Sequence, residues 1–351
     1  MDTASERTAD EAADQPAPLQ DRLGRPLRDL RLSVLDRCNL RCTYCMPEES
    51  LEGRGIFLPP DKLLSDDELV ALVRVFVRLG VHKLRLTGGE PMLRPGLPGL
   101  VGRLAAVDGI QDLAMTTNAI LLPRLAAPLK QAGLGRITVS LDSLDEAVFR
   151  RMSGGHGSVA QVLDGIRAAE EAGFTRMKIN TVVQRGVNDD GVLDLVSHFR
   201  GTGHTLRLIE FMDVGNVNHW SRAQVVPSSR LLKAIHDRWP VRPVAQQSAS
   251  ETARRYEFLD GQGQVGFISS ISEPFCGDCS RARVTADGVF YSCLFSSRGT
   301  ALRPLLRQGA DEDSIQALLV RLWTGRADRY SEERSADAVP EAKVEMYRMG
   351  G

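Results

Sequence analysis

From Arg28 onward the chain alternates short apolar runs with amphipathic stretches. The runs fall at residues 30–35, 83–87, 112–116, 136–141, 176–183 and 205–210, each of strand length. Between the first two, residues 66–79 form a helix opened by Ser65 with Glu68 three positions later, a capping box, and closed by Gly80. Residues 159–172 repeat the pattern with Ser158, Gln161 and Gly173. Strand and helix in regular alternation predict parallel strands joined by helical crossovers.

The alternation inside the strands says more than their number. Arg31 and Ser33 alternate with Leu32 and Val34; Lys83, Arg85 and Thr87 with Leu84 and Leu86; Thr138 and Ser140 with Ile137 and Val139; Lys178 and Asn180 with Met177 and Ile179. Strands of a parallel sheet covered on both faces read as continuous apolar runs. Here the apolar faces must meet the helices, so the polar faces either line a wet concave lumen or lie on a solvated sheet surface. Parallel strands are seldom left uncovered, which favours the lumen. A closed eight-stranded barrel fills its interior with side chains. The fold expected is therefore α/β, an incomplete (β/α)6 TIM-like barrel over residues 23–220 whose open lumen holds Arg and Lys side chains suited to a phosphorylated or carboxylated ligand.

After about Trp220 the alternation stops. A helical stretch at 228–239 is followed by strand-like 256–259 and 265–268 flanking Asp260-Gly261-Gln262-Gly263, then by a second hairpin turned at Asp287-Gly288. Residues 221–351 are thus expected to form a C-terminal α+β extension that closes the lumen. Residues 1–22 are acidic and alanine-rich with no apolar core, and read as a disordered tail and not as a signal peptide. The Glu/Arg-rich stretch 328–342 reads as solvated surface. The net charge of −1 supplies no bulk basic field for nucleic acid, and no run of 18 apolar residues suggests a membrane span. A cytoplasmic protein with reduced thiols is expected.

All six cysteines fall in two groups. Cys38, Cys42 and Cys45 follow the first strand in a CxxxCxxC spacing, three soft ligands on one loop with no fourth nearby. A structural zinc site closes with four ligands, so this set points to an iron–sulfur cluster with one iron left open. Cys276 and Cys279 form a CxxC joined by Cys293 on the returning arm of the second hairpin. That set is read as either a second three-thiol cluster or zinc with a distant ligand. Arg281 and Arg283 beside it are solvated strand residues or an anion clamp. Gly88-Gly89-Glu90-Pro91 after the second strand is either a tight turn or a close backbone approach to a ligand.

CxxxCxxC with Tyr44 before the third cysteine, followed one unit later by GGEP, resembles the radical S-adenosylmethionine superfamily. Adding Thr116-Thr117-Asn118, Glu210-Phe211-Met212-Asp213-Val214-Gly215-Asn216, a CxxCxRxR element and a terminal Gly350-Gly351, the chain resembles the GTP 3′,8-cyclase family from about Leu23 onward. The resemblance implies two 4Fe–4S clusters, on Cys38, Cys42 and Cys45 and on Cys276, Cys279 and Cys293. It implies S-adenosylmethionine at the first, lined by Tyr44, Gly89, Ser140 and Met212, and GTP at the second, contacted by Arg31, Arg85, Thr116, Lys178, Arg281 and Arg283. Arg281 and Arg283 are the expected catalytic pair. The implied reaction is abstraction of the GTP C3′ hydrogen by a 5′-deoxyadenosyl radical and C3′–C8 bond formation, giving (8S)-3′,8-cyclo-7,8-dihydro-GTP for cyclic pyranopterin monophosphate synthase. An electron donor, a homodimer and insertion of the Gly-Gly tail into the site are implied as well. Two competing readings are a related enzyme acting on a peptide and a non-enzymatic zinc or redox module. Ala119 stands where the family often has glycine.

Overall fold

The computed structural model describes residues 19–50, 57–246, 248–334 and 343–350. Residues 1–18 of the tail, 335–342 of the charged stretch and the terminal Gly351 lie outside that set.

The six expected strands are present as β1 (Asp29–Ser33), β2 (Lys83–Thr87), β3 (Asp112–Thr117), β4 (Arg136–Ser140), β5 (Lys178–Val183) and β6 (Thr205–Glu210), paired in parallel in chain order. The fifth begins two residues later than the apolar pattern suggested because Arg176 takes a left-handed φ of 54°, which breaks extended backbone. Helix Asp66–Arg78 has the reciprocal capping box on Ser65 and Glu68. It buries Leu69, Leu72, Val73 and Phe76 against the outward apolar faces of the strands, which carry Leu30, Leu32, Leu84 and Leu86. Truncating Phe76 to alanine there would cost about 3–5 kcal/mol.

What the alternation could not show is where the C-terminal strands go. They are β7 (Val241–Val244), β8 (Arg254–Phe258), β9 (Gln264–Ile268), β10 (Arg281–Val284), β11 (Val289–Tyr291) and β12 (Thr300–Ala301). β9 lies parallel beside β6, with Thr205 opposite Gln264, and β10 lies parallel beside β1, with Asp29 opposite Arg281. The C-terminal extension therefore continues the curved sheet at both edges, giving twelve strands in the order β12-β11-β10-β1-β2-β3-β4-β5-β6-β9-β8-β7. The sheet is not closed by hydrogen bonds between its two edge strands.

Two stretches set aside as tail or solvated surface belong in part to the fold. Residues 19–22 are anchored through Asp21, whose side chain is fully buried between Arg25 and Arg326, and through an isolated antiparallel bridge between Gln20 and Pro26. Within the charged stretch, Arg334 is buried against Asp213, and Tyr330 donates its hydroxyl to the same carboxylate at 2.5 Å. Burial pairs these charges because an unpaired buried charge is costly.

Candidate active site

The inner faces of the strands enclose one cavity of about 1130 Å³, lined by side chains at alternate positions, Lys83 and Arg85 on β2 and Lys178 and Asn180 on β5 among them. All six cysteines, all free thiols, line it. The register fixes their places. Cys38 follows the C-terminal end of β1, and Cys279 precedes the N-terminal end of β10, whose Arg281 pairs with Asp29 at the start of β1. The two trios therefore sit at opposite ends of a parallel strand pair, separated by roughly 13 Å of strand.

The Cys38–Cys45 loop is held from below by the GGEP turn. Gly89 N donates to Leu35 O at 2.8 Å and Glu90 N to Arg37 O at 2.8 Å. A Cβ on Gly89 would stand 2.2 Å from Arg37 O, so its glycine permits close approach to the cysteine loop itself. Glu90 accepts from Asn118 N, Met92 N and the Thr117 hydroxyl, yet burial lifts its carboxyl to about 7. Tyr44 donates to Asp142 at 2.7 Å, and burial lifts Asp142 to about 6. Ser140 and Met212 line the same end. Leu40 N donates to Cys38 Sγ at 3.4 Å.

Around the second trio the charge reverses. Burial alone would raise the Cys279 thiol, but Arg281 and Arg326 pull it down to about 6; Arg281 donates to its sulfur at 3.3 Å. Phe295 N donates to Cys293 Sγ at 3.5 Å. Among the described residues no three His, Cys, Asp or Glu side chains converge on a point that would hold a single metal ion. Three thiols with N–H donors on sulfur form a donor set that suits an iron–sulfur cluster.

Between the trios the lumen is strongly cationic. Arg31, Arg85, Lys178, Arg281 and Arg283 line it as the sequence expected; so do Lys83, Arg136 and Arg207. Arg207 and Arg136 were missed as ligand candidates, although Thr205, Arg207 and Ile209 alternate with Leu206 and Leu208 in the same period of two. Only Asp29 and Asp112 oppose them on the lumen faces of these strands. Burial, then Arg207, Arg136 and Arg85, depress Lys178 to about 7, and burial with Arg281 and Arg85 depresses Arg31 to about 9. Thr116 serves here as an acceptor for Arg85, at 3.2 Å, together with Thr138 at 3.0 Å. Arg207 donates to Asn180 at 2.9 Å.

The C-terminal segment enters this space. Lys343 donates to Asp213 at 2.7 Å, Glu345 accepts from Asn216 N at 3.1 Å, and Arg283 donates to the carbonyls of Met349 and Gly350 at 3.1 and 2.8 Å. Gly350 lies against Thr87, where a Cβ would meet the hydroxyl at 2.0 Å.

Residues 32–199 match the Radical SAM superfamily model and residues 204–332 the Molybdenum Cofactor Synthesis C model. The chain is 58% identical over 335 residues to the GTP 3′,8-cyclase of Xanthomonas campestris pv. campestris (strain B100), covering 95% of this chain and 98% of that one. The chain belongs to the GTP 3′,8-cyclase family. A second member, from Acidothermus cellulolyticus, is 48% identical over 325 residues, covering 92% of this chain and 90% of its own. Among solved structures, Streptococcus suis SuiB bound to S-adenosylmethionine matches with a TM-score of 0.57 at 14% identity, over 84% of this chain and 68% of that one, a likeness of fold alone. Membership in the radical S-adenosylmethionine superfamily implies S-adenosylmethionine and a 4Fe–4S cluster. No helix among the described residues is long and apolar enough to cross a membrane.

Proposed function

We propose that this chain is a GTP 3′,8-cyclase that forms the C3′–C8 bond of (8S)-3′,8-cyclo-7,8-dihydro-GTP. The observation that carries this reading is one cavity with a three-thiol set at each end of the β1/β10 pair and eight strand-borne cations between them. Cys38, Cys42 and Cys45 would hold one 4Fe–4S cluster, and Cys276, Cys279 and Cys293 a second. With S-adenosylmethionine bound, the first of these would supply the one-electron reduction of the sulfonium that yields a 5′-deoxyadenosyl radical and methionine.

The remaining tasks fall to the protein's own groups. Tyr44, Gly89, Ser140 and Met212 wall the S-adenosylmethionine end, where Glu90 and Asp142 offer acceptors to a cationic ligand. Arg31, Arg85, Lys178, Arg207, Arg281 and Arg283 can take a triphosphate through charge-assisted hydrogen bonds and set the ribose toward the opposite end. Thr116 holds Arg85 in place for this. The tail carbonyls on Arg283 seal the space against water, which keeps a radical from solvent. In this division residues 23–220 provide the S-adenosylmethionine end with Arg31, Arg85, Lys178 and Arg207, and residues 221–351 the second trio with Arg281 and Arg283. A cytoplasmic homodimer with an external electron donor, passing its product to cyclic pyranopterin monophosphate synthase, completes the reading.

The test is anaerobic iron and sulfide analysis with Mössbauer spectra on wild type and on a Cys276→Ala, Cys279→Ala, Cys293→Ala triple variant, followed by mass analysis of the GTP product. Two clusters falling to one, with cyclisation lost and S-adenosylmethionine cleavage retained, is expected. One cluster in both proteins, with zinc confined to wild type, would remove the second site.

A further inference from the structure

Beside the second cysteine loop, at the cavity wall that Arg25, Arg326 and Asp328 help to line, lies a buried charge network to which the reaction as read above assigns no task. Arg25 and Arg326 each keep 1% of their side chain exposed and Asp21 none. Arg25 Nη1 donates to the carbonyl of Cys276 at 2.8 Å and to that of Asp328 at 2.7 Å; Arg326 Nη1 donates to the carbonyl of Cys279 at 2.8 Å. Asp21 bridges the two, accepting from Arg25 Nε at 2.6 Å and from Arg326 Nη1 at 3.1 Å. Asp21 also accepts from Arg25 N, and Trp323 Nε1 donates to Arg25 O, so the main chain that carries the first guanidinium is fixed from both sides. The second stacks on the Trp323 ring, 4.6 Å from its centroid. Ser292, one residue before Cys293, donates to Asp328 at 2.6 Å.

Stability alone does not account for this arrangement. Desolvating two guanidiniums for one fully buried carboxylate is costly, and buried ion pairs are often no better than apolar residues of the same volume. Arg25 Nη2 and Arg326 Nε, moreover, are buried without a hydrogen-bond partner. What the network gains is control of one turn. Cys276 O already accepts from Cys279 N at 3.3 Å, and the two arginines fasten both ends of that turn by the carbonyls of its two cysteines. Arg281 brings a third guanidinium to this turn, donating to the Cys279 sulfur at 3.3 Å, while Asp21 and Asp328 are the carboxylates paired with Arg25 and Arg326.

We propose that Arg25 and Arg326, joined by Asp21, are positioning residues that pre-shape the Cys276–Cys279 turn for its cluster and hold that cluster at a higher reduction potential through their charge. This rests on the second-cluster reading above. Fixed donors to a ligand loop act as outer supports that set ligand orientation, and net positive charge beside a cluster favours its reduced, more negative form.

The experiment uses full-length protein loaded anaerobically, with iron and sulfide counted and both centres titrated by electron paramagnetic resonance. Arg25→Gln and Arg326→Gln are expected to lose most of one cluster, about four iron and four sulfide, while S-adenosylmethionine cleavage at the first site continues. Any second centre that remains should titrate at a more negative potential, a shift that a purely structural role would not produce. Arg25→Lys and Arg326→Lys keep the charge but give up the planar fork. They should load the second centre at most half as fully and keep its potential. Full loading and unchanged potential in the Gln variants would overturn the proposal. If the Gln variants fail to fold, wild-type loading in the Lys variants would overturn it instead. The triple cysteine variant is measured beside them: unchanged iron there would sink the second-cluster reading itself, a result distinct from an unaffected second cluster in the arginine variants.

Discussion

The two cysteine trios share a ligand count and a cavity but not an electrostatic setting. At the first, burial raises all three thiols, Cys38 to about 11, and the carboxylates of Glu90, Asp142 and Glu345 add to that, with Arg41 the one opposing cation beside Cys38. At the second, burial raises Cys293 to about 11 as well, while Arg281 and Arg326 draw Cys279 down to about 6 against its burial. One end of the lumen is thus built for a cation and the other for an anion. On the function proposed above, that difference in sign would favour a sulfonium at one end and a triphosphate at the other.

The largest test of this asymmetry is Arg283→Ala. With the anion end weakened, kcat/KM for GTP cyclisation should fall at least about 100-fold, on about 3 kcal/mol for an unpaired buried charge contact. Formation of 5′-deoxyadenosine should persist, and both are read from one chromatogram. Intact cyclisation would end the assignment of the anion end to Arg283.

Next is the latch at the cation end. Asp213 is shared by Lys343, Arg334 and Tyr330. Asp213→Asn leaves buried cations short of a partner and should lower unfolding free energy by about 3 kcal/mol. Hydrogen exchange at residues 343–350 should quicken, and a urea melt gives the stability. An unchanged melt with protected tail amides would show that Asp213 does not hold the segment.

A third effect concerns the lumen cations. Lys178 is depressed to about 7 by burial and its arginine neighbours, below its ordinary 10.5. Between those values the unfolded chain binds the proton and the folded chain does not, so the penalty is full below pH 7 and is relieved as pH rises above it. Lys178→Met should therefore be more stable than wild type at pH 6, with the advantage shrinking toward pH 9. GTP binding near pH 8 should draw a proton onto Lys178 in wild type, and calorimetry in two buffers of different ionisation enthalpy should show that uptake lost in the variant. Equal proton uptake in both proteins would place the titrating group elsewhere.

The smallest effect is at Ala119, which is fully buried with φ of 68° where an L-residue is strained. Ala119→Gly should stabilise by about 1 kcal/mol, visible as a raised thermal midpoint. A lowered midpoint would mean that the buried methyl outweighs the backbone strain.

Much of this was legible in the chain because it is written at short range. CxxxCxxC, GGEP and CxxC are local, and period-two alternation told which face of β1, β2, β4 and β5 would meet the ligand. The alternation was equally present in β6, where Arg207 was passed over, so that omission lay in the reading and not in the chain. The double role of Gly89 was less visible, because its neighbour is the backbone of Arg37, and steric approach of that kind leaves no mark on residue type.

By itself the sequence determined the six parallel strands, the grouping of the thiols into two trios and the sign of charge in the lumen, since each follows from side-chain chemistry at fixed local spacing. Only the tertiary structure decided that β10 pairs with β1 while β9 pairs with β6, that Asp21 and Arg326 meet beside Cys279, and that Arg283 grips Gly350. Those contacts join residues from dozens to hundreds of positions apart, most of them through backbone carbonyls and strand edges, which every sequence possesses alike, so only the fold could choose among them.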